Sequence, residues 1–362
     1  MIRTEKAALC FLHVIKGIGS KSLWKIKDSF GSFENCLKSD SSALYAALKP
    51  EIAQAIISRR QQSSIFFYLE QLEDKGINLV SFEEPDYPPM LRNIYSPPFM
   101  LYFRGYMESL EELCLAVVGS RAASDYGRTT ARKLGNNLAS RGISVVSGMA
   151  RGIDAEAHRG ALDAGGRTVA VLGSGLNVIY PRSNTRLYHE IIEHGVVISE
   201  FPLDTNPDAR NFPMRNRIIS GISRGVVVVE ARARSGALIT ADFALEQGRD
   251  VFAVPGPINR ESSLGANNLI KQGAKLITGV EDIIEEYYDI TIPESECPVQ
   301  EQLLFLDEQE RVLINCLAEN SLLFDDIIAS TGFTIGQLSS LLLKLELAGI
   351  VKSLPGNYYG KV

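Results

Sequence analysis

Arginine recurs beside glycine and serine wherever a short apolar run ends, and that pairing points to phosphate chemistry. Gly119-Ser120-Arg121 closes the run Leu115-Ala116-Val117-Val118. Gly148 to Asp154, with Arg151 inside it, follows 143–147. Gly173-Ser174-Gly175 and then Tyr180-Pro181-Arg182 follow 168–172. The segment Arg210-Asn211-Phe212-Pro213-Met214-Arg215-Asn216-Arg217 comes after 195–199, and Arg234-Ser235-Gly236 after 225–229. A guanidinium is a planar fork that matches phosphate oxygens. A small-residue turn leading into a helix adds backbone N–H groups aimed at an anion. Phe212 is the aromatic of the arginine loop. It reads either as an anchor for that loop or as a face on which a base stacks, worth roughly 1–3 kcal/mol per base.

Other chemistries fit less well. Gly173-Ser174-Gly175 begins a dinucleotide fingerprint, but Val178 stands where the third glycine belongs, and no acidic residue about twenty further on closes a clear βαβ ribose site. The phosphate loop G-x-x-x-x-G-K-[ST] is absent. Asp154 and His158, one helical turn apart, suit acid–base work; the alternative is a helix cap and a packed histidine. The five cysteines are scattered with no C-x-x-C pair, and the four histidines lack metal-ligand spacing. No metal, cofactor or catalytic residue is expected, and the odd, dispersed cysteines favour a reducing cytoplasm.

These residues need a scaffold that brings them to one place. From Cys114 to about Tyr288 the sequence alternates strand and helix, the rhythm of a doubly wound α/β sheet. The strands are expected at 115–119, 143–147, 168–172, 195–199, 225–229, 250–254 and 274–277, with a helix over Tyr126 to Ser140. Right-handed crossovers carry every strand's C-terminal end to one edge, where open α/β sheets bind ligands. Residues 1–75 read as a helical domain. Within it, Gly17-Ile18-Gly19 resembles the turn of a helix-hairpin-helix, which offers amides to a phosphate. Residues 76–288 form the sheet domain, 289–307 an acidic linker, and 308–362 three helices and a β-wing turning at Pro355-Gly356-Asn357, a winged helix. Its third helix, roughly Ile335 to Ala348, carries only Lys344 as a base, so a packing or partner-binding role is expected over duplex reading.

Net charge is −6 over 362 residues, which by itself argues against nucleic acid. Its distribution reverses that. Between Cys114 and Ser235 there are 16 Lys and Arg against 10 Asp and Glu, while the rest of the chain has 21 against 33. No apolar run of membrane-spanning length occurs, and Met1 to Lys16 lacks a signal-peptide layout.

Taken together, V-V-G-S-R-A-A-S-D-Y-G, S-G-M-A-R-G-I-D, G-S-G-L-N-V-I-Y-P, F-P-M-R-N-R-I-I-S-G, R-S-G-A-L-I-T and G-R-D-V-F-A-V-P-G resemble the DNA-processing protein A (DprA/Smf) family. The resemblance covers roughly residues 80 to 280. It implies an extended Rossmann-like fold with an N-terminal helical (SAM-like) domain and a C-terminal winged helix. The implied function is a non-catalytic, single-stranded DNA-binding recombination mediator. Such a protein is a cytoplasmic homodimer that protects incoming DNA and helps load the RecA recombinase during natural transformation. Carried over by position, Gly119, Ser120, Arg121, Phe212, Arg215, Asn216 and Arg217 would grip DNA. Arg182 matches a basic residue after Tyr-Pro. Ala209, with Arg210 beside it, stands where members often have a lysine. The implied dimer contact falls at Leu264 to Leu276, with Leu269, Ile270 and Leu276 as apolar candidates. The rival reading is a nucleotide-processing enzyme of related fold. There Phe243 occupies the position of the needed glutamate, so hydrolysis loses its acid–base group.

Overall fold

The computed structural model describes residues 3–62, 64–110, 113–287, 308–317, 322–347, 351–354, 356 and 358–361. The expected linker 289–307 lies outside them, as do Pro355 and Asn357 of the wing turn. The chain divides into two compact units, Met1–Pro293 and Glu294–Val362.

The first unit opens with six helices: α1 (Arg3–His13), α2 (Ser20–Phe30), α3 (Phe33–Lys38), α4 (Ser41–Ala47), α5 (Pro50–Gln62) and α6 (Phe67–Asp74). From Ala7 to Leu12 every side chain of α1 is buried, as suits a helix apolar on all sides. Ser32 and Asp40 begin α3 and α4 by accepting from the Asn35 and Ala43 amides.

The α/β portion follows as β1 (Asn78–Ser81), α7 (Pro89–Arg92), β2 (Met100–Gly105), β3 (Cys114–Val118), α8 (Asp125–Ala139), β4 (Ser144–Ser147), α9 (Ile153–Asp163) and β5 (Thr168–Leu172). It continues with α10 (Thr185–His194), β6 (Val196–Ser199), α11 (Asn211–Ile222), β7 (Gly225–Val228), α12 (Gly236–Glu246), β8 (Asp250–Ala253), α13 (Leu264–Lys271), β9 (Lys275–Leu276) and α14 (Glu281–Ile284). All seven strand positions expected from Cys114 onward are strands, their ends displaced by one residue at most.

One sheet runs β1-β2-β6-β5-β4-β3-β7-β8-β9. Its last seven members are parallel, and β2 and β1 extend it antiparallel beyond β6. From β3 the chain winds outward through β4, β5 and β6, then returns to the other side of β3 with β7. This reversal, where Leu115 pairs with Gly225 and Val118 with Val228, opens the crevice in which such sheets hold ligands. Strand residues alternate between faces. Leu115 and Val117 pack under α8 and α9, while Ala116 and Val118 pack under α11 to α13. The two helices of the first face meet backbone to backbone, since a Cβ at Gly160 would stand 2.0 Å from the Arg132 carbonyl oxygen.

A single apolar cluster joins Leu9, Phe11, Leu23 and Ile26 to Phe99, Tyr102, Leu172 and Val197. The expected boundary near residue 75 therefore separates types of secondary structure and not separate cores. Two histidines are sealed into the first unit. His13 Nδ1 lies 2.8 Å from Tyr102 Oη, and His158 Nδ1 lies 2.6 Å from Thr168 Oγ1. Burial pulls their pKa values down to about 4 and about 3. Unfolded, each takes a proton near pH 6.5, so below that pH the unfolded state binds more protons and stability is lost as pH falls. Each histidine is expected to withdraw roughly 2 kcal/mol by pH 5. Urea midpoints measured between pH 7 and pH 5 check this, and a flat profile would contradict it.

The second unit has helices Glu308–Cys316, Phe324–Thr331 and Ile335–Leu347, and strands Leu322–Leu323, Val351–Leu354 and Tyr358–Lys361 in one antiparallel sheet. Leu313, Ile327, Leu338, Leu342, Leu345 and Val351 form its core. This is the expected winged-helix outline. Lys344, on the third helix, lies 2.6 Å from Glu310. No single described helix is long and apolar enough to cross a membrane.

Candidate nucleic-acid interface

The C-terminal ends of β3 and β7 open into a crevice of about 740 Å³. Gly119, Ser120 and Arg121 enter it from the turn after β3. Phe212, Arg215 and Asn216 come from α11, and Ser235 and Gly236 from the start of α12. Ser235 caps α12 by accepting from the Ala237 amide at 3.3 Å, and Asn216 Nδ2 donates to the Gly236 carbonyl at 3.1 Å, tying α11 to α12. Arg232, Arg234 and Tyr180 complete the rim.

The Arg121 guanidinium lies over the Phe212 ring at 4.9 Å, and the Tyr180 ring is 5.8 Å from the other aromatic. Phe212 is half buried and lines the crevice beneath the Arg121 guanidinium. An exposed cation–π contact is worth about 0.5–1 kcal/mol, so Arg121 leaves the ring at little cost. Arg121, Arg232 and Arg234 have no carboxylate partner among the described residues.

Arg215 forms the floor. It is 4 % exposed, and its guanidinium fills the place of the Cβ that Gly148 lacks. One of its terminal nitrogens donates to the Val171 carbonyl, while Nε has no hydrogen-bond partner. Burial lowers its pKa to about 10 against the opposing pull of Asp154. Burial likewise raises the Asp154 pKa, opposed by Arg215 and by the amides of Ala150, Gly119 and Gly148. Asp154 is thus a packed acceptor and His158 a packed histidine.

Residues 78–288 match the family described as DNA recombination-mediator protein A, and residues 299–357 match the DprA winged helix domain. The chain belongs to the DNA recombination-mediator protein A family. It is 33% identical to Protein Smf of Synechocystis over 99% of both chains. It is 43% identical to Protein Smf of Escherichia coli over 79% of this chain and 78% of that one. The X-ray structure of DprA from Streptococcus pneumoniae superposes with a TM-score of 0.67 at 35% identity, covering 79% of this chain and 98% of that one. Helicobacter pylori DprA, described for its unique single-stranded DNA binding mode, gives 0.53 at 28% identity over 59% and 96%.

For this recombination-mediator chain, eight of the expected contact residues share the crevice and four do not. Arg217 is held in a buried ion pair with Glu200, whose other oxygen accepts from Ser20 Oγ at 2.7 Å. That serine begins α2, so the Gly17-Ile18-Gly19 turn docks against the end of β6. Arg210 pairs with Asp208 at 2.9 Å, both exposed, and holds that carboxyl down at about 2. Arg151 and Arg182 are exposed outside the crevice. The expectation of free amides at the turn after β3 needs correcting. The Ser120 amide donates to the Glu230 carbonyl at 2.7 Å, and the Glu230 carboxylate takes the Ser124 amide and hydroxyl. Among the dimer candidates, Leu269 is buried in the chain's own core, Ile270 is half buried, and Leu276 is 44 % exposed on the edge strand β9. The contact residues expected from sequence did not include Arg232, Arg234 or Tyr180. Two arginines two residues apart in the loop after β7 were the available signal.

Proposed function

We propose that this crevice holds single-stranded DNA. Unpaired Arg121, Arg232 and Arg234 take phosphates, and Phe212 with Tyr180 receives a base. What supports the reading is the convergence of three uncompensated guanidiniums and an aromatic pair on the reversal point of the sheet, in a chain of net charge −6. The likeness to the Helicobacter pylori protein, described for binding single strands, supports it further. Stacking plus phosphate contact is tolerant of sequence. Arg151, Arg182 and Arg210 extend the positive surface beside the crevice, Arg215 fixes its floor, and Arg217 positions α11 through Glu200. On this reading the protein is a cytoplasmic, non-catalytic mediator that shields incoming strands and hands them to RecA during natural transformation. The one carboxylate among the described residues of the crevice, Asp154, accepts the Ala150 amide and faces the buried Arg215 charge, which favours binding over hydrolysis.

Fluorescence anisotropy with a labelled oligothymidylate and a duplex of equal length tests the reading. The single strand is expected to bind more tightly, with log affinity falling about 0.7 per phosphate for each tenfold rise in salt, or a slope near −2 for three arginines. Equal duplex affinity with a flat salt profile would overturn it.

We place the homodimer contact at the β9 edge, where Leu276 is exposed. Leu276→Glu is expected to give monomers and to lower apparent DNA affinity about tenfold or more through lost avidity. Light scattering that still reports dimers would move the interface elsewhere.

A further inference from the structure

We infer that Glu230 and Asp154 decide what the crevice accepts. Asp154 inside it and Glu230 at the helix end beside it fill two anion positions with the chain's own carboxylates, so a polynucleotide is held by arginine side chains while inorganic phosphate and mononucleotides are turned away. The inference rests on the crevice being the nucleic-acid site. It adds the specificity of that site.

The N-terminus of a helix that follows the first strand at a sheet's reversal point is the ordinary phosphate position of open α/β folds. Here α8 is 15 residues long and begins there. Its end is already occupied. Glu230, 3 % exposed and just beyond β7, accepts the Ser124 amide at 3.2 Å and the Ser124 hydroxyl at 2.5 Å, and that hydroxyl in turn accepts the Gly127 amide at 3.1 Å. The neighbouring turn repeats the arrangement. Asp154, 6 % exposed, lies in the first turn of α9 and accepts the Ala150 amide at 3.4 Å, where the Arg215 charge and the nearby Gly119 and Gly148 amides favour its ionised form. Amides, helix end and a guanidinium around a buried carboxylate make a phosphate site with its anion built in. A second anion would meet a like charge. Arg121, Arg232 and Arg234, without a carboxylate partner among the described residues, line the crevice and supply separate side-chain charges, which a chain of phosphates can meet together.

The test uses the full chain melted in chloride, acetate and phosphate at equal ionic strength. Acetate carries the functional group that Glu230→Ala removes, and phosphate is the anion that the emptied position suits. Wild type is expected to melt at one temperature in all three. Glu230→Ala should melt lower in chloride and recover by about 3 °C or more in acetate or phosphate. Equal shifts in wild type and variant would overturn the inference, as would a variant folded by circular dichroism and indifferent to both anions. Should Glu230→Ala fail to fold, Asp154→Asn decides. It keeps the shape, removes the charge beside Arg215, and should bind thymidine monophosphate about tenfold or more tightly than wild type does. Unchanged affinity would overturn the inference. An oligonucleotide titration of wild type run alongside separates the two failures, because loss there faults the crevice's assignment and not the built-in anions.

Discussion

With Arg121, Arg232 and Arg234 all replaced by alanine, affinity for a single strand at low salt is expected to fall about a thousandfold. Each arginine supplies a charge-assisted hydrogen bond to phosphate, and three such contacts at about 1.4 kcal/mol each account for that factor. The slope of log affinity against log salt should flatten by about 2 at the same time, since three fewer phosphates are neutralised. Stability should hardly change. None of the three has a carboxylate partner among the described residues, and all three are exposed. Anisotropy for binding and urea denaturation for stability separate the two effects. An intact affinity in a folded triple variant would remove the rim arginines from the site.

Arg215→Met is expected to behave in the opposite way, with a large cost in stability. Arg215 and Asp154 are buried opposite charges that stabilise each other's ionised form, and leaving a buried charge uncompensated typically costs about 3–5 kcal/mol. Here the abandoned group is Asp154, 6 % exposed and accepting the Ala150 amide at 3.4 Å. The double substitution Arg215→Met with Asp154→Leu should recover a good part of the loss. A single Arg215→Met variant of undiminished urea midpoint that no longer binds DNA would recast Arg215 as a contact residue.

The difference between these two arginines shows how far the sequence could be read. Strand positions were legible because runs such as Leu115–Val118 and Val226–Val229 are apolar at every residue, the mark of strands covered on both faces. The reversal between β3 and β7 brought Gly119-Ser120-Arg121 and Ser235-Gly236 together, as the edge-loop argument required. Arg121, Arg215 and Arg217 looked alike in sequence, all arginines next to small or polar residues. What separates them is burial and nearby charge. Arg215 is sunk against Gly148 and Asp154, Arg217 is claimed by Glu200, and only Arg121 stands open. Glu200 lies 17 residues before Arg217 and Glu230 lies 106 after Ser124, so no local pattern announces either pairing. The turn amides were misjudged for the same reason. Strand–turn–helix spacing marks an anion position but not whether a distant carboxylate already fills it. Burial likewise removed Leu269 from the dimer candidates, because a helix face packed on β8 and one turned to a partner carry the same apolar residues.

The account stands or falls on where a single strand lies. An oligothymidylate carrying 5-iodouracil, irradiated on the full-length protein and followed by peptide mapping, locates the stacked base directly. The attachment is predicted at Phe212 or Tyr180, and it should disappear in the triple arginine variant. Attachment confined to the winged-helix unit, or spread over surfaces away from the ends of β3 and β7, would contradict the account.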